Sequence, residues 1–192
     1  MAMSRAERRR AEKLAKKNQS GKSAALPNTQ QILQDAVKDR QAGRLKKALN
    51  GFKLVLKYEP TRNDVRVVAG TIAFDLQEYE EAASLYGAVV QQEPENAKAQ
   101  FGLALAHKTL GAFSEAATAA RAAVELSQGA AEPLRLLIEL LWATGDTKDI
   151  PELCRKLLVH EPHRTDTAMF EGMAYYHQGE RCLLYTSDAA DE

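Results

Sequence analysis

Cysteine is scarce in this sequence, and long hydrophobic runs are absent. Of the 192 residues only Cys154 and Cys182 are cysteines, and no CxxC spacing occurs. This excludes a disulfide scaffold and a cysteine-rich zinc site, and it predicts a reducing compartment, the cytoplasm. No apolar run reaches the roughly 18–20 residues of a membrane-spanning helix. No apolar segment follows the basic N-terminus, so neither membrane insertion nor secretion is predicted.

The net charge of the whole chain is zero, but the charges are unevenly distributed along it. The 26 Lys and Arg residues balance 26 Asp and Glu residues, which argues against a dedicated nucleic-acid binder. Residues 1–28 contain eight basic and two acidic residues, a net charge of +6. We interpret them as a solvated arm and linker, disordered or partly helical. Contact of the arm with nucleic acid or an acidic lipid surface is the less favoured alternative, because no aromatic residues are interleaved.

Patterns that mark catalysis or metal binding are missing as well. No Walker motif, GxSxG motif or Gly-rich phosphate loop occurs, and none of the four histidines forms an HExxH motif. His160 and His163 are better explained as a polar helix end near the C-terminal dipole than as metal ligands. Cys154 is expected to be a buried, inert thiol. We therefore predict no catalytic residue, no cofactor and no metal, and a chain that is not an enzyme.

A period of 34 residues organises the middle of the chain. Three residue types recur at this interval or at twice it: proline that follows a glutamate, glycine, and alanine. Such recurrence indicates a repeat architecture. Each unit contains two amphipathic helix-length stretches, separated by a glycine-containing turn and closed by Glu-Pro. These features predict an all-α fold of antiparallel helix pairs. The three series are Pro60, Pro94 and Pro162; Gly111, Gly145 and Gly179; and Ala48, Ala82 and Ala116.

The repeat resembles the tetratricopeptide repeat family. Counted from the first residue of a repeat, that family has small residues at positions 8 and 20, bulky residues at 17 and 24, and proline at 32. The resemblance implies a right-handed α-solenoid, in which small residues allow close helix approach and bulky ones fill the seam between repeats. The matching residues are Ala36, Leu45, Ala48, Phe52 and Pro60 in repeat 1, and Gly70, Tyr79, Ala82, Tyr86 and Pro94 in repeat 2.

The period divides residues 29–181 into about four and a half repeats. Repeat 4 departs most from the motif, because Pro151 stands where the second helix should already have formed. A proline suits the first turn of a helix, so this helix is expected to begin late and to be capped by Asp149. The predicted repeats are 29–62, 63–96, 97–130, 131–164 and a partial repeat over 165–181.

The last eleven residues, 182–192, break the repeat where a further helix is expected. Their sequence, CLLYTSDAADE, back-translates to DNA that resembles the transposon-end adapter used to prepare sequencing libraries. We therefore expect this tail to be non-native and the natural protein to continue beyond Arg181, which would make the chain a truncated N-terminal fragment.

The resemblance also implies where a partner would bind. In the family, positions 2, 5, 9, 12 and 13 of each first helix line a concave groove. Here they include apolar and aromatic residues with a few charges, which suit an extended or helical peptide; Arg135 and Trp142 are the best anchors. Leu33 and Val37 replace the Lys and Asn that grip chaperone tails, so no carboxylate clamp is predicted. The candidate groove residues are Val67, Phe74, Phe101, Leu105, Lys108, Arg135, Glu139 and Trp142, with Leu33, Val37, Arg40 and Thr71 in the same family positions.

We predict a protein–protein interaction module without catalysis of its own. One alternative remains open. A basic arm followed by such repeats resembles the N-terminus of bacterial proteins in which the repeats precede a sulfotransferase or an O-linked N-acetylglucosamine transferase domain. In that case the groove would recruit a protein substrate to the following domain.

Overall fold

The computed structural model describes residues 28–160 and Gly172. Residues 28–160 form eight α-helices and no strand, which confirms the predicted all-α class. Four parts of the chain lie outside the described residues: residues 1–27 of the arm and linker predicted over 1–28, residues 161–164 of repeat 4 with His163, the partial repeat apart from Gly172, and the tail over 182–192. The helices are α1 (Thr29–Gln41), α2 (Leu45–Tyr58), α3 (Asn63–Asp75), α4 (Tyr79–Gln92), α5 (Ala97–Thr109), α6 (Phe113–Leu126), α7 (Ala131–Thr144) and α8 (Ile150–His160).

The helices pack in chain order as an α-solenoid. Each odd-numbered helix pairs with the helix that follows it, and each second helix of a pair also contacts the first helix of the next. In addition α3 contacts α5, and α5 contacts α7. Since each unit contacts only its neighbours, the array grows along one direction and the first helices line one side of it. These first helices begin 34 residues apart, at Thr29, Asn63, Ala97 and Ala131.

The turn inside each repeat needs one residue with a left-handed backbone. At position 15, Gly43, Gly111 and Gly145 have φ of +72°, +78° and +79°. Glycine adopts this conformation without steric cost. The expectation of a glycine in every turn is wrong for repeat 2, where Gln77 occupies the position with φ 65°. The packing of α3 on α4 therefore imposes the turn geometry even on a residue that resists it.

Tyr86 of α4 fills the seam between repeats 2 and 3. Its ring is buried and lies where two glycines leave room for it. A Cβ on Gly70 would approach the ring to 3.0 Å, and one on Gly102 would lie 2.4 Å from Cζ. The Tyr86 hydroxyl is 3.0 Å from Oγ1 of Thr71, so the polar end of the ring is hydrogen-bonded. The bulky residue at position 24, Tyr86, is thus complementary in shape to the two glycines that face it, Gly70 and Gly102.

Repeats 1 and 2 are each closed by a glutamate at position 31, just after their second helix. Glu93 accepts a hydrogen bond at 3.0 Å from Nδ2 of Asn63, which is the first residue of the same repeat. It accepts a second one, also at 3.0 Å, from Nδ2 of Asn96, the N-cap residue of α5. Glu59 likewise accepts one from Thr29 Oγ1 and one from Arg62 at 3.0 Å. The bonds from Thr29 and Asn63 join the two ends of a repeat.

The late start predicted for the second helix of repeat 4 is confirmed, because α8 begins at Ile150 and contains Pro151 in its first turn. The second helices of the other repeats begin three positions earlier, at Leu45, Tyr79 and Phe113. Asp149 directly precedes α8, and its carboxylate accepts a hydrogen bond from Arg121 of α6 at 3.0 Å. Its side chain therefore ties α8 back to the preceding repeat.

Candidate partner-binding groove

The eight candidate groove residues lie on three consecutive first helices, α3, α5 and α7. All eight are half-buried. Since α5 contacts both α3 and α7, the residues belong to one continuous layer of the solenoid. Val67 and Phe74 lie on α3; Phe101, Leu105 and Lys108 on α5; Arg135, Glu139 and Trp142 on α7.

The apolar members of this set pack against the core and also reach the surface. Phe101, Leu105 and Trp142 pack on the core cluster of repeats 3 and 4. Val67 and Phe74 pack on the core cluster that extends from repeat 1 through repeat 2 to Ala99 and Ala106 of repeat 3. The ring of Phe74 also contacts Tyr79 edge-on, with the ring centroids 5.2 Å apart and the planes at 66°. Each side chain is thus held by the fold while leaving part of its surface accessible.

Two charged candidates are paired with each other. Lys108 Nζ of α5 forms an ion pair with Glu139 Oε2 of α7. Their side chains are 38% and 40% exposed, so water screens the attraction and such a pair contributes about 0–1 kcal/mol to stability. The main consequence is local: the two charges compensate each other in the middle of the layer of first helices.

A depression of about 420 Å³ lies at the N-terminal end of this layer, between α1 and α3. Leu33 and Val37 of α1 line it together with Val68 of α3, and the buried residues Phe52 and Val65 complete its apolar lining. Exposed Arg40 and Asp64 are the charged residues that line it. Its volume is in the range of known ligand clefts. The family positions indicated Leu33, Val37 and Arg40. The motif assigned Phe52 to the seam between repeats, and the structure shows that it also lines the depression.

Thr71, which shares a groove position of the family, has a structural role in addition. Its Oγ1 lies 3.1 Å from the carbonyl oxygen of Val67 and 3.0 Å from the Tyr86 hydroxyl. Burial raises the pKa of Tyr86, although the hydrogen bond between Tyr86 and Thr71 opposes the shift. Thr71 is therefore bound to the seam and offers less to a partner than its position suggests.

Titratable residues over 28–160 do not assemble a metal site. No group of three or more His, Cys, Asp or Glu side chains in that range is placed to hold an ion. Cys154 is buried, as predicted, while His107 is half-buried and His160 is exposed. None of the helices that the structure describes is long and apolar enough to cross a bilayer.

The central residues of the chain match a known repeat family. The family model described as Tetratricopeptide repeat matches residues 67–133, from within α3 to the start of α7. These residues are tetratricopeptide repeats by sequence. This family has small residues at positions 8 and 20 and bulky residues at positions 17 and 24, the pattern that the packing described above shows. No curated protein matches the chain.

Solved structures show the same fold. MamA has 21% sequence identity and a TM-score of 0.73, over 81% of this chain and 85% of that one. YrrB, a tetratricopeptide protein with an unusual peptide-binding site, has 18% identity and a TM-score of 0.71 over 80% and 79% of the two chains. MamA from Desulfovibrio magneticus RS-1 has 14% identity and a TM-score of 0.70 over 86% and 94%. At these identities the likeness concerns the fold.

Proposed function

We propose that the tetratricopeptide array is a protein-interaction module that binds a peptide segment of a partner along its first helices. The observation that supports this most directly is a run of large apolar side chains on α3, α5 and α7, half-buried and continuous from helix to helix. Covering such surface removes it from water, which is favourable by about 25 cal/mol per Å². The run comprises Val67, Phe74, Phe101, Leu105 and Trp142.

The partner segment that fits is amphipathic and of low net charge. The depression lined by Leu33, Val37 and Val68 suits one large apolar side chain, and Arg40 and Asp64 beside it have opposite charges. The Lys108–Glu139 pair leaves the middle of the groove locally neutral. A strongly acidic or basic peptide would therefore find no complementary field. The fold shared with YrrB, which has an unusual peptide-binding site, is consistent with this function.

We infer that the array acts by binding and not by catalysis. Shifted pKa values often mark catalytic groups, yet here their causes are structural. The pKa of Glu59 is lowered mainly by the hydrogen bond from Thr29, and that of Glu93 mainly by the hydrogen bond from Asn63. Both glutamates lie at helix ends that close a repeat. The pKa of Asp64, which lines the depression, is lowered as well, mainly by the hydrogen bond from Arg62, and this contact is also structural.

Selection from a random peptide display library, followed by affinity measurement, tests the proposal. Trp142 is the only tryptophan of the chain and belongs to the proposed groove, so its emission should report occupancy without a label. For selected peptides, labelled and followed by fluorescence anisotropy, we expect Arg135→Ala and Trp142→Ala to weaken binding at least about tenfold, as for interface anchors. Circular dichroism checks that both variants keep their helicity.

Leu126→Ala is the matched control, since Leu126 is an exposed large apolar residue at the end of α6, outside the groove. It should leave peptide affinity unchanged. If the selected peptides bind the Arg135 and Trp142 variants as tightly as the parent chain while Trp142 emission stays constant on binding, the groove is not the binding site.

A further inference from the structure

The outward surfaces of repeats 1 and 2 have opposite charges. Residues 29–62 contain eight basic and three acidic residues, a net charge of +5. Residues 63–96 contain one basic and seven acidic residues, a net charge of −6. The contrast is concentrated at the beginning of the second helices, α2 and α4, which are equivalent elements of neighbouring repeats.

The reversal occurs position by position. At positions 16, 18 and 19, repeat 1 has Arg44, Lys46 and Lys47, and repeat 2 has Glu78, Glu80 and Glu81. Arg44, Lys46, Lys47, Glu78 and Glu80 are all exposed. Glu81 pairs within the chain with Lys53 of α2, which shows that α2 and α4 are neighbours on this face.

The apolar side chains on the same face differ in size in a complementary way. On α2, Leu54 and Tyr58 are 40% and 41% exposed. On α4, the equivalent of Leu54 is Ala88, and at neighbouring Gly87 an added Cβ would meet no atom within 4 Å. At the position of Leu54 the α4 surface therefore has space, whereas the equivalent of Tyr58 on α4 is the exposed Gln92.

We propose that two copies of the chain pair face to face through α2 and α4, about a two-fold axis parallel to these helices. Rotation about such an axis preserves height along the helices. It therefore places Lys46 of one copy opposite the partner subunit's Glu80, and Glu80 opposite the partner subunit's Lys46. Closed two-fold interfaces are self-complementary in this manner, and here both charge contacts form together.

A second copy suits this face better than a polyanion does. An anionic lipid surface or a nucleic acid presents charges of one sign over a wide area. Exposed Glu78 and Glu80 lie at the start of the neighbouring helix α4 and would repel it. A surface that is basic on one helix and acidic on the next is instead complementary in charge to the same surface of a second copy related by a two-fold axis. The groove on the first helices stays open in such a pair.

Sedimentation velocity on the full chain tests the pairing. We expect dimers at an ionic strength of about 0.01 M and monomers at about 1 M, where the Debye length falls from about 30 Å to about 3 Å. The double variants Lys46→Glu/Lys47→Glu and Glu78→Lys/Glu80→Lys should each be monomeric at low salt, because like charges then meet at both contacts. Mixed in equal amounts they should form a heterodimer, since each variant supplies the sign that the other lacks.

Lys98→Glu/Lys156→Glu is the charge-matched control, because it changes the net charge equally at exposed positions outside α2 and α4. It should dimerise like the parent chain and should not pair with the Glu78→Lys/Glu80→Lys variant. Dimers that persist in both double variants would overturn the proposal and point to another contact, such as the ends of the array. A monomeric parent chain that binds phosphatidylserine vesicles or DNA through Lys46 and Lys47 would overturn it in favour of a polyanion.

Discussion

Tyr86 of α4 lies so close to Gly102 of α5 that a Cβ on the glycine would be 2.4 Å from Cζ of the ring. Real Cβ contacts are not this short, so the ring and any side chain at position 102 exclude each other. The seam between repeats 2 and 3 thus depends on a glycine in the interior of a helix. Glycine there is less favourable than alanine by about 1 kcal/mol in helix propensity, a cost that the packing of the buried ring offsets.

Gly102→Ala should therefore destabilise the array by about 1–3 kcal/mol through overpacking, measured as the free energy of unfolding in urea. Gly87→Ala is the matched control, because an added Cβ meets nothing within 4 Å there. It should stabilise the chain by about 0.5–1 kcal/mol. Both changes gain the same helix propensity, so their difference isolates the contact with Tyr86. Equal effects of the two variants would show that the ring moves freely.

Gln77→Gly should stabilise the array. The left-handed backbone at Gln77 (φ 65°) costs a non-glycine residue about 1–2 kcal/mol, and glycine removes that cost while losing more entropy on folding. We expect a net gain of about 0.5–1 kcal/mol, measured by urea unfolding. Gly111→Gln, the reverse exchange at the equivalent position with φ +78°, should destabilise. A Gln77→Gly chain less stable than its parent would mean that the Gln77 side chain makes a compensating contact.

Glu93 should make stability depend on pH in the acid range. Its pKa is lowered from the usual 4.5, chiefly by the hydrogen bond from Asn63. A carboxyl whose folded-state pKa lies below its unfolded-state value stabilises the fold above the unfolded value, and this contribution is lost as pH falls through the folded-state pKa. Glu93→Gln should therefore lower the urea midpoint at pH 7 and lower it less at about pH 3. A difference between parent and variant that is independent of pH would contradict this account.

The Lys108–Glu139 pair should contribute little to stability and respond to salt. A double-mutant cycle with Lys108→Met and Glu139→Gln should give a coupling of less than about 1 kcal/mol, because both side chains are more than one-third exposed. The coupling should diminish as ionic strength rises. A larger, salt-independent coupling would indicate that the pair is effectively desolvated and has a structural role between α5 and α7.

Much of the fold was predictable because the sequence pattern is local and repeated. Proline at position 32 ends a helix, as α2 and α4 end before Pro60 and Pro94. Alanines at positions 8 and 20, such as Ala36 and Ala48, are buried where two helices approach. The late start of α8 followed from Pro151 alone. Each of these features depends on backbone geometry within one helix or turn, which residue types and their spacing determine.

The candidate groove was predictable only as a set of positions. Helical spacing assigned Lys108 and Glu139 separately to the first helices, and their ion pair depends on how α5 and α7 are placed beside each other. The same holds for the depression that combines Leu33, Val68 and Phe52 from three helices. Periodicity states which face of a helix is buried but not which side chain of another helix it meets.

The sequence by itself determined the repeat length, the helices and their buried faces, since these arise from interactions within about one helical turn. Only the tertiary structure decided that Tyr86 excludes a side chain at position 102, that Gln77 adopts a left-handed backbone, and that α2 and α4 share one face. These relationships join residues of different helices, and close packing of the helices sets the distances between them.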